Sequence, residues 1–145
     1  MQITLELVRD TWQACYSTER LAALFDRPLT AVEVLTRQDG EWKHVPPEDR
    51  LWVVLHDGVL HDKTFRLFAA ACAEKTCQGA GWSDPRSLAA IQAARDFAEG
   101  KITAEELRAA AAAAAAAARS AADAAVGAAD AGAREWQIQT LLALI

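Results

Sequence analysis

Residues 109–118 are ten consecutive alanines, and this run restricts the possible folds more than any other feature of the chain. Alanine has the highest intrinsic helix propensity because its side chain loses no rotamer entropy on folding. The run follows Thr103 and Glu106, whose three-residue spacing is typical of a capping box at a helix start. We therefore predict one helix from Thr103 to about Ala131, roughly 28 residues and ~42 Å long.

Other segments also carry helix signals. Asp84 followed by Pro85 is typical of an N-cap with proline at the first helical position, and Gly100 supplies a stop. Further helices are predicted near residues 4–15, 21–25, 61–76 and from Trp136 onward, and residues 50–55 form either a short buried helix or a valine-rich strand. In the helix at 61–76 we expect Phe65, either Phe68 or Ala69, and Cys72 on the buried side.

Residues 31–45 allow two structures. Val32, Val34 and Thr36 before an Asp-Gly pair at 39–40, and Trp42 and His44 after it, recur at every second position, which favours a β-hairpin. Thr30 and Glu33 instead have the spacing of a capping box, which favours a helix. The prediction is an all-α helical bundle with a long Ala-rich helix near the C-terminus, with the short hairpin at 31–45 left open.

Length and charge limit the classes of function. The 145 residues fit a single domain, with a mixed N-terminal half at 1–80 and an Ala-rich helical half at 81–145. Lys and Arg total 15 against 20 Asp and Glu, so the net charge of −5 disfavours direct nucleic-acid binding and favours a basic protein partner. We expect a cytoplasmic protein, since no membrane-spanning stretch or secretory signal is recognisable and three cysteines fit reduced thiols.

Two His-Asp pairs are the strongest candidates for chemistry. His56-Asp57 and His61-Asp62 offer imidazole and carboxylate ligands, which is the basis of an alternative function, a metal-dependent enzyme. Their spacing of five residues does not place both pairs on one helix face, and no third His or Cys follows at ligand spacing. We therefore predict no metal, no cofactor and no catalytic residue.

Exposed tryptophans and acidic side chains are the candidate binding residues. Trp12 and Trp52 lie on apolar patterns, which predicts that they belong to the core, whereas Trp42 and Trp82 lie in turn contexts that allow exposure. The predicted partner-binding residues are Trp42, Trp82, Glu41, Glu48, Asp49, Asp57 and Asp62.

The alanine face of the long helix has two possible partners. It packs either against the helix at 84–100 or against the same face of a second copy, because small side chains let two backbones approach closely. A homodimer would use Ala111, Ala114 and Ala118.

Four segments resemble an Ala-rich, all-helical family of phage and prophage proteins, some of which are described as immunity proteins against bacterial toxins. The segments are PEDRLW at 47–52, LFAAACAE at 67–74, DPRSLAAI at 84–91 and EGKITAEEL at 99–107. The resemblance implies a non-enzymatic, protein-binding inhibitor from a phage that blocks a host defence protein such as a CRISPR effector. The alternative is an immunity protein that neutralises a cognate bacterial toxin.

Overall fold

The computed structural model describes residues 1–79, 81, 84–118 and 131–145, without the side chains of 113–118 and 131. Every named element in these ranges is helical, and the all-α prediction is confirmed. The α-helices are α1 (Thr18–Leu24), α2 (Ala31–Thr36), α3 (Pro47–Val54), α4 (Asp62–Gly79), α5 (Pro85–Ala98), α6 (Ala104–Ala118) and α7 (Ala131–Leu142). A π-helical turn covers Leu7–Thr11, a 3-10 turn covers Gly40–His44, and an isolated antiparallel bridge joins Ile3 to Leu29.

The chain divides into two compact units. The first unit contains Met1–His61, Arg134–Ala143 and Ile145, and the second contains Asp62–Ala133 and Leu144. The boundary after His61 lies at the start of α4 rather than at the glycines near residue 80. Whether the whole chain folds as one domain stays a prediction.

Local capping fixes the helix starts in the first unit. Ser17 accepts a hydrogen bond from the backbone N–H of Arg20 and starts α1. Thr30 and Glu33 form the complete capping box of α2, each side chain accepting from the other residue's backbone N–H. The helix is therefore confirmed at 31–36 and the hairpin alternative is wrong, because the capping box satisfies N–H groups that a helix start leaves unpaired.

Arg50 lies in the core of the first unit and links three of its elements. Its side chain is 4% exposed and donates hydrogen bonds to the backbone carbonyls of Val34, Arg37, Trp42 and Val45. Val34 lies in α2 and Arg37 is its C-cap, whereas Trp42 lies in the 3-10 turn and Val45 is the C-cap of that turn. Arg50 itself lies on α3. Burial lowers the pKa of the guanidinium, and the carbonyl dipoles around it compensate for the lost water.

The C-terminal helix α7 belongs mostly to the first unit. Ile138 and Leu141 are buried, so the apolar side of this helix packs against other residues. Leu35 of α2 and Val45 line one cavity together with Ile138, so α7 packs beside these residues.

The second unit is built from α4, α5 and α6, with α5 packed against both neighbours. Asp84 caps α5 by accepting from the backbone N–H of Arg86, and Thr103 with Glu106 forms the predicted capping arrangement before α6. An ion pair of 2.6 Å between Arg95 and Glu74 joins α5 to α4.

The buried side of α4 differs from the prediction. Phe68 is buried as expected, but Phe65 is 46% exposed and Cys72 only half-buried. The helix packs through Phe68 and Ala70, which leaves Phe65 on the exposed side together with Ala69.

The predicted long helix is confirmed as far as Ala118, and its continuation to 131 falls outside the described residues. Within the described ranges, no helix combines the length and the apolar character that crossing a membrane requires.

Candidate functional site

The outer face of α3 presents polar and aromatic side chains to solvent. At about 100° per residue, the buried residues Arg50, Leu51, Val53 and Val54 share one side of the helix, and Trp52 lies opposite them. Trp52 is 41% exposed, so the prediction that it belongs to the core is wrong. The surface here called the α3 outer face consists of Glu48, Asp49 and Trp52 on this side of the helix and of His56, which follows the C-cap Leu55.

Trp12, Trp52 and His56 form an aromatic cluster at this face. The centroids of Trp12 and Trp52 are 6.4 Å apart with the rings edge to face, and His56 lies 4.3 Å from each. The Nδ1 atom of His56 is 3.0 Å from the carbonyl oxygen of Trp52. These contacts fix the orientation of the exposed Trp52 ring.

The backbone that delivers Trp12 has an unusual conformation. Trp12 follows the π-helical turn at Leu7–Thr11, and Gln13 has a φ of 53°, in the left-handed region that non-glycine residues seldom adopt. Single π-helical turns and left-handed residues of this kind occur frequently at functional sites. The conformation of this segment therefore supports the choice of the neighbouring surface as a candidate functional site.

A cavity of about 250 Å³, here called the Tyr16 pocket, lies beside the α3 outer face. Its lining is mostly apolar. Two of the lining residues, Cys15 and Trp52, are exposed to solvent. Its ionisable oxygen groups are the Tyr16 hydroxyl, which donates a hydrogen bond, and the Asp49 carboxylate, which accepts it. The full lining is Val8, Ala14, Cys15, Tyr16, Leu21, Leu24, Phe25, Trp42, Val45, Asp49, Trp52 and Val53.

Burial raises the pKa of Tyr16 to about 12, with further contributions from the hydrogen bond to Asp49 and from its negative charge. The phenol is therefore protonated at neutral pH and acts as a donor to the carboxylate. A mostly apolar concavity with a few convergent polar groups is the usual form of a binding site.

Negative charge is concentrated in the same unit. Residues 1–61 carry ten acidic and six basic side chains, a net charge of −4 of the chain's −5. Four of the arginines make ion pairs, namely Arg9 with Asp10, Arg20 with Glu41, Arg27 with Glu33, and Arg37 with Asp26 and Asp39. Within the described ranges, none of the ion pairs involves Glu48, Asp49 or Asp57.

The predicted acidic residues occupy different places. Glu48 and Asp49 lie on the α3 outer face, and Asp57 is exposed directly after His56. Glu41 is exposed on the 3-10 turn and lies 3.8 Å from the Arg20 guanidinium. Asp62 is exposed at the first position of α4, in the second unit.

The Trp42 side chain is buried, so its expected exposure is wrong, and its place in the partner-binding set stays a prediction. It is 2% exposed, and its indole N–H donates a 2.8 Å hydrogen bond to the carbonyl oxygen of Leu24. Its ring meets Phe25 edge to face, with 5.4 Å between centroids. The 3-10 turn directs this side chain inward, where an indole N–H with a carbonyl acceptor can be buried at little cost. Trp82 lies outside the described residues.

The described residues include only part of the predicted homodimer face. Ala111 is exposed on α6, while the side chains of Ala114 and Ala118 fall outside the description, so the homodimer face stays a prediction. The described part of the chain contains no group of three or more His, Cys, Asp or Glu side chains arranged to hold a metal ion. The His56 ring packs against the rings of Trp12 and Trp52, and His61 is exposed.

Comparison with known proteins finds a family match for one part of the chain. A family model described as "Imm-5 like putative immunity protein" matches residues 60–135. This range nearly coincides with the second unit, so the α3 outer face and the Tyr16 pocket lie outside it. No curated protein and no solved structure matches the chain.

Proposed function

The chain belongs to the Imm-5 like family, and from this membership we propose that it is an immunity protein, which protects a bacterial cell by binding a protein toxin and blocking it. The observation that carries the proposal is the family match at 60–135, which includes all of α4, α5 and α6. Immunity by direct binding requires a surface complementary to the toxin and no chemistry of its own. The α3 outer face offers such a surface, with an ordered aromatic cluster beside acidic side chains.

Binding without catalysis is part of this proposal. The Tyr16 hydroxyl donates to Asp49 and is held protonated, which is unsuited to a nucleophile or a general base at neutral pH. An inhibitor encoded by a phage would use the same acidic chemistry against a host protein. The family match favours the immunity function over that one.

Paired expression in bacteria tests the proposal. Each reading frame that flanks the gene is expressed from an inducible promoter, with and without this protein on a second plasmid. We expect one neighbouring product to stop growth when expressed alone and this protein to restore growth. A related immunity gene of different specificity serves as the control for nonspecific rescue. If no neighbouring product is toxic, or if toxicity persists with this protein present, the proposed function is wrong.

A further inference from the structure

The Tyr16 pocket and the α3 outer face meet at Asp49 and Trp52, which belong to both. We infer that together they form the toxin-binding site, and that the site takes a lysine or arginine side chain that projects from a basic surface of the toxin. This inference rests on the proposed function and specifies where and how the toxin is held.

The pocket fits the apolar part of such a side chain. Its volume of about 250 Å³ accommodates the aliphatic stem of a long residue, and its lining offers Ala14, Val53 and the Trp52 ring as contacts. Lysine and arginine commonly bury their methylene groups against apolar surface while the charged head reaches a polar group. An uncharged apolar anchor would fill the volume but leave the carboxylate of Asp49 without a partner from the toxin.

The charged head meets negative charge at the same place. Asp49 lines the pocket, and Glu48 precedes it on the exposed side of α3. The Arg20 guanidinium lies 4.0 Å above the Tyr16 ring, 3.8 Å from the Glu41 carboxylate, and donates a hydrogen bond to the carbonyl oxygen of His44. In the described structure, neither Glu48 nor Asp49 makes an ion pair. A cation from the toxin would therefore not have to displace an arginine or a lysine from them.

Trp52 provides the third element of recognition. An indole face attracts a cation more strongly than other aromatic rings do, and tryptophan is enriched among residues that dominate binding energy. Its contacts with Trp12 and His56 hold the ring in place before binding, which reduces the entropy lost when a complex forms.

The second unit offers a contrasting surface. Among its described residues, the exposed large apolar side chains are Phe65 and Leu88, which are 46% and 43% exposed. Residues 62–118 contain seven acidic and seven basic side chains, so this part of the chain has no charge preference for a basic partner. Phe65 and Leu88 therefore provide matched controls, since truncating them removes exposed apolar surface outside the inferred site.

The test measures the affinity of purified variants for the toxin found by paired expression, in a catalytically inactivated form, by isothermal titration calorimetry. Trp52→Ala and Asp49→Asn are each expected to weaken binding at least about 30-fold. Glu48→Lys is expected to weaken it about tenfold, and because Glu48 is exposed this variant does not threaten the fold. Phe65→Ala and Leu88→Ala are expected to stay within twofold of the wild type, with circular dichroism confirming equal helicity for all variants.

Tyr16→Phe tests whether Asp49 contacts the toxin itself or acts only by holding Tyr16 in place. This variant removes the internal donor but keeps the aromatic ring and leaves the carboxylate available to the toxin, so it should lose far less affinity than Asp49→Asn. Equal loss in Tyr16→Phe and Asp49→Asn would mean that Asp49 acts only by holding Tyr16, which overturns the inference.

The two proposals fail in different ways. If the wild type binds and protects while the Trp52, Asp49 and Glu48 variants bind equally well, the inferred site is wrong and the immunity function stands. Selective loss in Phe65→Ala or Leu88→Ala would likewise overturn the site by placing the toxin on the second unit. If the wild type binds no toxin, the proposed function fails and this inference fails with it.

Discussion

The imidazole of His56 stacks on the indole of Trp12, with 4.3 Å between the ring centroids and 28° between the ring planes. This contact joins the segment ahead of α1 to the end of α3, although 43 residues of chain separate the two. The exposed Trp52 ring packs against both partners. The orientation of Trp52 therefore depends on a residue that need not touch the toxin itself.

Replacing Trp12 with alanine tests that dependence. We expect Trp12→Ala to weaken toxin binding about tenfold, because Trp52 loses the edge contact that orders it before binding. The loss of stability should be smaller than for a buried tryptophan, since Trp12 is only partly buried. Calorimetric titration and urea unfolding measure the two effects separately. Wild-type affinity in this variant would show that the cluster does not prepare Trp52 for binding.

Chemical blocking of Cys15 provides a test without changing the sequence. Cys15 is exposed and lines the Tyr16 pocket, so a bulky maleimide on its sulfur should prevent toxin binding. Cys72 and Cys77 are half-buried on α4 in the second unit. The control is Cys15→Ser, treated with the same reagent, which should still bind. Equal inhibition of wild type and control would place the effect at Cys72 or Cys77 instead.

Arg50 should be the most sensitive polar position of the first unit. Arg50→Met leaves the carbonyl oxygens of Val34, Arg37, Trp42 and Val45 without their common donor. We expect the free energy of unfolding to fall by about 3 kcal/mol or more, measured by urea denaturation. Arg9→Met, which removes an exposed pair with its neighbour Asp10, should change the free energy of unfolding far less, because solvent screens this pair. Similar values for the two variants would contradict the role assigned to Arg50.

The raised pKa of Tyr16 predicts a loss of stability in alkali. The pKa is about 12 in the folded chain against an ordinary value of 10.0 for a tyrosine side chain, so the folded state holds this proton more tightly. Between pH 10 and 12 the unfolded state releases the proton first, and stability falls as pH rises through this window. Tyr16→Phe should remove this part of the decrease, seen as a smaller difference in urea midpoint between pH 9 and pH 11.5. An identical pH dependence in both proteins would contradict the assigned pKa.

Local signals in the sequence identify the starts of α2 and α5 correctly, whereas the structure has a π-helical turn at Leu7–Thr11 where a helix near residues 4–15 was predicted. The capping box of Thr30 and Glu33 and the Asp84-Pro85 start of α5 depend on residues within one turn, so the sequence pattern alone predicts them. At 31–45 the alternating valines favoured a strand as strongly as the capping box favoured a helix. The capping box prevails there, and the Asp-Gly pair starts a 3-10 turn instead of a hairpin.

The positions of the tryptophans were harder to predict. The apolar run LWVVL suggested that every member was buried, but a helix of this length turns one residue in the run toward solvent, and that residue is Trp52. Applying the helical angle to Arg50, Leu51, Val53 and Val54 would have found this. The burial of Trp42 depends on the carbonyl oxygen of Leu24, 18 residues away, which no local pattern contains. The Tyr16 pocket was missed for the same reason, since its lining comes from segments distant in sequence.

Titration of toxin activity with the purified protein tests the proposed immunity function most directly. A protein that neutralises by binding should abolish the activity of its toxin at a molar ratio near one, with the residual activity falling linearly up to that point. Unchanged toxin activity at a tenfold molar excess would contradict neutralisation by binding. Complete inactivation at a small fraction of one equivalent would contradict it too, because it would show that the protein acts catalytically.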